Sequence, residues 1–375
     1  MDKRTAPTNP FLLTGYHSPA YFCDREQETK RLISALQNGR NLTLISPRRM
    51  GKTGLIRHVF HQMETQKQAK CYYVDLYKTD SLASLVEQLA NDVLGSLDTT
   101  KNRVVKQVTT FFKSLRPLFS FDPLGVPTFM VDVKPELAEH SLAEIFSYME
   151  QSGQQCVVAM DEFQSIADYG DRNMEALLRS HIQQLNSVHF IFSGSQRHVL
   201  ENMFASANRP FYQSTQIFNL YEIEEQSYFE FAKKKLEAHR QQLTADVFGY
   251  LYHILAGHTW YVQMLLNRLY ESGEPLITVP VIDKVLTGIV DENEATFQTF
   301  MRLVTPAQAK LLRAIAKEGS VQQALSQSFI SQYHLGATST VRSAIKTLVE
   351  RELVLDVQGA YQVYDRFFAL WLKRK

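Results

Sequence analysis

The chain has 375 residues, with 45% hydrophobic residues, 21% charged residues and a formal net charge of +1. This composition excludes a disordered chain, the length predicts two or three domains, and no apolar run is long enough to predict a membrane span. The near-zero net charge excludes a global field that would attract nucleic acid or membrane, although residues 303–375 carry ten basic and five acidic side chains.

Apolar runs and helical patterns alternate over the first 200 residues. The predicted strands are short and apolar, and they lie at 42–45, 71–76, 156–160 and 188–192. The predicted helices lie at about 25–38 with Asp24 as N-cap, from Gly51, at 82–97, from a Ser141–Glu144 capping box to 150, and at 172–186. Near-continuous apolar strands separated by helices indicate an α/β fold with a parallel sheet that is covered by helices on both faces.

Two segments depart from this alternation. Residues of about 100–138 are rich in Phe and basic residues and contain several prolines, which predicts a helix followed by a loop or hairpin insertion. From about 224 to 303 the pattern is only helical. The remaining residues predict three helices and then a strand pair with a turn at Gln358-Gly359.

A phosphate-binding loop is predicted between the first strand and the next helix. Its residues are Ser46, Pro47, Arg48, Arg49, Met50, Gly51, Lys52 and Thr53, and Gly54 follows in the helix. Backbone N–H groups of such a loop and the N-terminus of the helix bind phosphates, Lys52 would contact the β- and γ-phosphates, and the Thr53 hydroxyl would bind Mg²⁺. Ser46 stands where the full P-loop pattern has glycine. The alternative is an ordinary basic turn between a strand and a helix.

Polar residues follow two later strands. Asp161 and Glu162 come directly after an apolar run, at the carboxyl end of a strand, where ligands bind in open α/β sheets. Asp161 would hold Mg²⁺ and Glu162 would polarise a water molecule for attack on a γ-phosphate. Ser193 would contact the γ-phosphate or that water. The alternatives are two solvent-facing acids and a simple turn that Ser195 caps.

The segments Ser46–Thr53, Met160–Gln164 and Phe192–Ser195, in this order, resemble the archaeal/bacterial ATPase family, a branch of the AAA+/STAND-type P-loop ATPases. The resemblance extends over nearly the whole chain, through Phe22–Glu26, Arg209–Tyr212, Gly257-His258 and Tyr364–Trp371. It implies an ATPase core, a helical lid and a C-terminal winged helix-turn-helix. It also implies binding of ATP and Mg²⁺ with slow hydrolysis that works as a switch.

The resemblance implies further site residues. An arginine of a neighbouring subunit or domain often reaches the γ-phosphate in such ATPases, and Arg209 and Arg197 are both candidates. Each is equally compatible with a surface ion pair. His258, at the start of a lid helix, resembles a nucleotide-sensing residue, and the alternative is a helix-cap residue.

A recognition helix is predicted in the C-terminal domain at residues 339–350, and a wing at 353–357 and 361–364. Arg342 and Lys346 share one face of this helix with two serines, a pattern suited to DNA phosphates or base edges. The alternative is a solvated helix face in a protein-interaction module or an autoinhibitory module.

These observations predict a P-loop ATPase core over 1–222, a helical lid over 223–302 and a winged helix-turn-helix domain over 303–375. The cysteines Cys23, Cys71 and Cys156 lack metal-ligand spacing and predict a cytoplasmic protein with reduced thiols. The predicted function is a slow, ATP- and Mg²⁺-dependent switch that acts on the winged helix and on a protein partner or a second copy. The alternatives are a DNA-binding regulator and an interaction scaffold in which the nucleotide is structural or absent.

Overall fold

The computed structural model describes residues 6–95, 112–121, 127–170, 173–357 and 359–374. The chain divides into two compact units. One unit is Thr14–Ile223, and the other comprises Met1–Leu13 and Glu224–Lys375. Each unit is described by itself below.

The Thr14–Ile223 unit is built on a parallel sheet. The strands of this unit are β1 Leu42–Ile45, β2 Lys70–Asp75, β3 Leu115–Phe121, β4 Pro127–Val133, β5 Cys156–Asp161, β6 Val188–Gly194 and β7 Gln216–Asn219. The strands β3 and β4 form a separate hairpin. The sheet order is β2-β5-β6-β1-β7, and all of its described pairs are parallel. The four predicted sheet strands are confirmed. The edge strand β7 was not predicted because only one of its four residues is buried.

Helices cover both faces of this sheet, as predicted. They are α1 Glu26–Gln37, α2 Lys52–Thr65, α3 Leu82–Gly95, α4 Ala138–Glu150, α5 Met174–Ile182 and α6 Arg197–Ala205. Successive side chains of a strand point to opposite faces. In β5, Val157 and Ala159 therefore join the core beneath α1 and α2, whereas Val158 and Met160 join the core beneath α3 to α6.

Two predicted helix caps are wrong. The helix α1 begins after Arg25, which has a left-handed backbone with φ of 64°. No side chain in the described part of the chain caps this helix. Ser141 and Glu144 lie inside α4, three residues apart on one face. They bind the segment before β3 instead, because Ser114 Oγ lies 2.7 Å from Ser141 Oγ and donates to Glu144 Oε2 at 2.6 Å.

The predicted insertion contains the hairpin β3–β4, while the helix predicted before it falls largely on residues 96–111, outside the described residues. Side chains of α3 hold the edge of β4. The backbone N–H groups of Val131 and Val133 donate to Asn91 Oδ1 at 2.8 Å and to Glu87 Oε1 at 3.0 Å. This hairpin is therefore fixed to α3 by side chains that satisfy backbone groups of a strand edge.

The second unit is mainly helical. Its elements are α7 Glu225–Glu237, α8 Ala245–Ile254, α9 Thr259–Ser272, α10 Val279–Glu292, α11 Glu294–Arg302, α12 Pro306–Glu318, α13 Gln327–Gln332, α14 Thr338–Glu350, β8 Val354–Val357, β9 Ala360–Val363 and α15 Arg366–Arg374. The antiparallel pair β8–β9 forms the predicted wing, and Gln358 of its turn lies outside the described residues. The short helix was predicted at 321–327, but Val321 forms a β-bridge with Tyr361. The final helix α15 was not predicted as an element.

The N-terminal segment packs within this second unit. Phe11 is fully buried and contacts the rings of Phe231 and Tyr270 edge-on. Asn267 on α9 donates to the Phe11 carbonyl at 2.7 Å and accepts, through its own carbonyl, from Asn9 at 2.9 Å. Residues up to Leu13 therefore belong to this unit, whereas the predicted core begins at residue 1. No helix of the described residues is long and apolar enough to cross a bilayer.

Candidate functional site

The loop between β1 and α2 has the backbone of an anion-binding turn. Arg49 and Gly51 have positive φ angles of 65° and 93°, so the chain turns tightly before the helix. Gly51 is the N-cap residue of α2, and no side chain in the described chain caps this helix. The N–H groups of its first turn are thus available to an anion, and the helix dipole adds to the attraction.

Lys52 is the buried cation of this loop. Its side chain is only 7% exposed, and its Nζ donates to the carbonyls of Ser46 and Pro47 over long distances of 3.4 Å. Burial lowers the pKa of Lys52, and the carboxylates of Asp161 and Glu162 act in the opposite direction. A phosphate at the loop would offer this ammonium group stronger, charge-assisted hydrogen bonds.

Ser46 fits the position that usually holds glycine. Its φ is not positive, so the backbone there does not require glycine. Its hydroxyl turns back and donates to the Pro47 carbonyl at 3.0 Å. Gly54 lies beside the ring of Phe22, which stacks on His58, and a Cβ at position 54 would make an ordinary van der Waals contact with that ring at 3.4 Å.

Asp161, at the end of β5, is the centre of a hydrogen-bond network. Its carboxylate accepts from Thr53 Oγ1 at 3.1 Å, from Ser193 Oγ at 2.6 Å, from the Glu162 backbone N–H at 3.0 Å and from the Tyr73 hydroxyl. The Thr53 hydroxyl and the Asp161 carboxylate are oxygen ligands of the kind that Mg²⁺ prefers. The described residues contain no group of three His, Cys, Asp or Glu side chains that could hold a metal ion by themselves. Mg²⁺ is usually bound by one or two carboxylates together with water and substrate phosphates. The residues present therefore fit a nucleotide-bound Mg²⁺.

Tyr73 is a site residue that the sequence prediction missed. It lies on β2 beside Ala159 of β5, so its hydroxyl reaches the carboxyl end of the neighbouring strand. Burial and the nearby Asp161 raise the pKa of Tyr73, and the Arg57 guanidinium lies 3.9 Å from its ring centre. A tyrosine in a strand that would lie next to the acidic strand end was the one signal that could have identified it.

Glu162 follows Asp161 with a positive φ of 53°. Its Oε2 accepts from Ser195 Oγ at 2.8 Å, from the Ser195 backbone N–H at 3.2 Å and from Gln164 Nε2 at 2.5 Å. The N-cap of α6 is Gln196, so Ser195 bonds to the acidic residue rather than capping this helix. Both turns that follow β5 and β6 thus meet at the Glu162 carboxylate.

The remaining predicted site residues have other described contacts. Arg209 forms an ion pair with the buried Glu175 of α5, and burial raises the pKa of Glu175 although Arg209 opposes this. Arg197 pairs with Glu201 one turn further along α6, at 2.7 Å. His258 belongs to the second unit, where it is buried, precedes α9 as its N-cap residue and contacts the Tyr261 ring. The structure therefore brings Lys52, Thr53, Asp161, Glu162 and Ser193 together, and neither arginine bonds to them.

A parallel sheet with a lysine-bearing loop after β1 and acidic residues after β5, followed by a helical segment and a winged helix, defines a P-loop ATPase fold. Residues 22–265 match the family described as "ATPase domain predominantly from Archaea", and residues 295–374 match the "Probable winged helix domain". Because the first match spans more than half of the chain, the chain belongs to this ATPase family. The family and the fold class predicted from the sequence are confirmed. No curated protein matches the sequence.

Solved structures share this fold over almost the full length. A Walker-type ATPase of Pyrococcus abyssi is 17% identical, with a TM-score of 0.65, and the match covers 97% of this chain and 99% of that chain. The ORC2 protein of Aeropyrum pernix, solved with ADPNP and ADP, is 16% identical with a TM-score of 0.58, over 97% and 95% of the two chains. The ORC1 protein of Aeropyrum pernix, solved in complex with DNA, is 13% identical with a TM-score of 0.53, over 97% and 96%.

Proposed function

We propose that this protein binds ATP with Mg²⁺ and hydrolyses the nucleotide slowly, as a switch that acts on its winged helix. The observation that carries this proposal is the meeting of Thr53, Asp161 and Glu162 beside the buried Lys52. These residues form two adjacent pairs, one at the start of α2 and one at the end of β5, and the four together provide phosphate binding, metal binding and a general base.

The proposed chemistry divides among the residues of the chain. The N–H groups of the loop and Lys52 hold the β- and γ-phosphates, and Thr53 and Asp161 hold the metal ion. When bound, Mg²⁺ neutralises charge on the phosphate oxygens. Glu162 accepts a proton from the attacking water, and Ser193 fixes one oxygen of Asp161 through its 2.6 Å hydrogen bond. Cleavage of the bond to the γ-phosphoryl group then yields ADP and phosphate.

The switch needs a difference in ATP affinity between two arrangements of the protein. His258 is the proposed nucleotide-sensing residue of the helical segment. Arg209 or Arg197 is the proposed arginine that stabilises charge on the γ-phosphate, and each would first have to leave its present carboxylate partner. A partner protein or a second copy would be the target of the rearrangement. The cysteines, none of which forms a disulfide, support the proposed cytoplasmic location.

The proposal is tested by titrating ATP and ADP, each with Mg²⁺, into the full chain by calorimetry while phosphate release is recorded. We expect both nucleotides to bind and phosphate to be released from ATP alone. Binding without release would reduce the proposal to a nucleotide-binding switch. An absence of binding would reject the ATPase and favour an interaction scaffold.

A second candidate function is DNA binding by the winged helix. Four exposed residues on one face of α14 support it, namely Ser339, Arg342, Ser343 and Lys346. Within the described residues Arg342 has no ion-pair partner, and Lys346 lies 3.9 Å from Glu350. The Aeropyrum pernix ORC1 protein was solved in complex with DNA, and that protein shares the fold.

We expect the double change Arg342→Ala and Lys346→Ala to weaken DNA binding. Loss of two phosphate contacts should reduce the slope of log K against log salt by about 2. Fluorescence anisotropy with a duplex at several salt concentrations measures this slope. A double change of the exposed Lys234 and Lys284 to alanine is the matched control. Unchanged affinity and slope in the α14 variant would exclude this face as the DNA site.

A further inference from the structure

A short hydrogen-bond network fixes the carboxylate of Glu162. Its three described contacts, from two groups of Ser195 and from Gln164, all end on Oε2. Within the described residues, Oε1 of Glu162 has no hydrogen-bond partner. A carboxylate held through one oxygen presents the other oxygen in a fixed direction. This is the arrangement that a general base requires, since it must meet a water proton at hydrogen-bond distance.

Gln164 makes this contact although the burial of its side chain leaves its amide oxygen unsatisfied among the described residues. Its side chain is only 6% exposed, and its amide Nε2 donates to Glu162 at 2.5 Å. Its Oε1 is buried and has no hydrogen-bond partner among the described residues. A buried amide oxygen without a partner lowers stability, whereas an apolar side chain of similar length would avoid this loss. The amide donor is therefore the feature of Gln164 that the site uses.

Gly194, the last residue of β6, makes room for Gln164. A Cβ built on Gly194 would lie 1.8 Å from Oε1 of Gln164, and 3.1 Å from Cδ1 of Leu200. The φ of Gly194 is not positive, so its backbone conformation is open to other residues. A residue with a Cβ at this position would therefore have to displace the amide end of Gln164.

We propose that Gln164 is a positioning residue that holds Glu162 in its catalytic orientation, and that Gly194 provides the space for it. The proposal rests on the proposed ATPase function. Without the Gln164 amide, the Glu162 carboxylate keeps only the hydroxyl and the backbone N–H of Ser195 as described donors, so its orientation is less restricted. A displacement of about 1 Å from the reactive geometry can cost about 100-fold in rate.

The first test compares turnover and binding in Gln164→Met, which keeps the side-chain length and removes the donor. We expect kcat to fall by about 10- to 100-fold while the Kd for ATP stays within about threefold of the wild type. An unchanged or raised kcat would overturn the proposal, and a raised kcat would mean that Gln164 restrains Glu162 in an inactive position. A loss confined to ATP affinity would also overturn it.

The second test is a double-mutant cycle of Gly194→Ala and Gln164→Ala, measured by thermal unfolding of the nucleotide-free chain. Gly194→Ala should lower Tm when Gln164 is present and have little effect when position 164 is alanine, because only the flexible end of Leu200 then remains near the new methyl group. Gly170→Ala, where a Cβ meets no atom of the described residues within 4 Å, is the matched control. Additive shifts in Tm would reject the steric role of Gly194.

The two tests separate this inference from the proposed function. If the wild type releases no phosphate, the ATPase proposal fails, and the unfolding cycle still decides whether positions 164 and 194 are coupled. If the wild type hydrolyses ATP and Gln164→Met does so at the same rate, only the positioning role is rejected.

Discussion

Replacement of Lys52 by alanine is expected to weaken ATP binding by at least about 100-fold, because it removes the one cation buried in the loop before α2. Within the described residues, the Nζ of Lys52 makes two long hydrogen bonds, to the Ser46 and Pro47 carbonyls, so its removal leaves few groups unsatisfied in the nucleotide-free chain. We therefore expect the variant to fold with a Tm close to that of the wild type. Calorimetric titration of ATP with Mg²⁺ measures the affinity.

Lys30→Ala is the control for this variant. Lys30 is an exposed lysine on α1 whose ion-pair partner among the described residues is Glu26, at 3.6 Å, so the Lys30→Ala chain should retain wild-type affinity. A Lys52→Ala chain that binds ATP as tightly as the wild type would show that the loop does not hold the phosphates. If Lys52→Ala abolishes ATP binding and leaves DNA binding unchanged, the result would favour the hypothesis of a DNA-binding regulator in which the nucleotide is structural or absent.

The elements that could be predicted from the sequence are those with strong local patterns. The buried strands of the sheet are short apolar runs, and the loop after β1 lies next to one of them. The position of Asp161 and Glu162 followed from the same pattern, since the carboxyl ends of parallel strands meet at one edge of a sheet. The local pattern was misleading where side chains form hydrogen bonds with a distant segment. Ser141 and Glu144, inside α4, bind Ser114 instead of capping their own helix.

The residues that could not be predicted act through contacts distant in sequence. Tyr73 lies 88 residues before the carboxylate that it binds. Arg209 and Glu175 are 34 residues apart, and nothing in the sequence near either residue shows that they pair. The role of Gly194 depends on the path of the Gln164 side chain, which only the packed turns after β5 and β6 define. Such pairings are set by tertiary packing and carry no local periodicity.

Replacement of Glu162 by glutamine is expected to preserve ATP binding and to reduce turnover by about 100- to 10,000-fold. The glutamine keeps the length of the side chain, and its amide oxygen can accept the bonds now donated by Ser195 and Gln164. It cannot accept a proton from water. Single-turnover phosphate release measures the loss, with an ATP titration in parallel.

Glu136→Gln, a change at an exposed residue of the same unit, is the control and should hydrolyse ATP at the wild-type rate. Wild-type turnover by Glu162→Gln would show that another group is the base. The variant also isolates the switch, because it holds ATP without converting it to ADP. If the proteolysis pattern of Glu162→Gln with ATP equals that of the wild type with ADP, the two nucleotides stabilise the same arrangement of the protein. Hydrolysis would then not change the conformation, and the switch would be rejected.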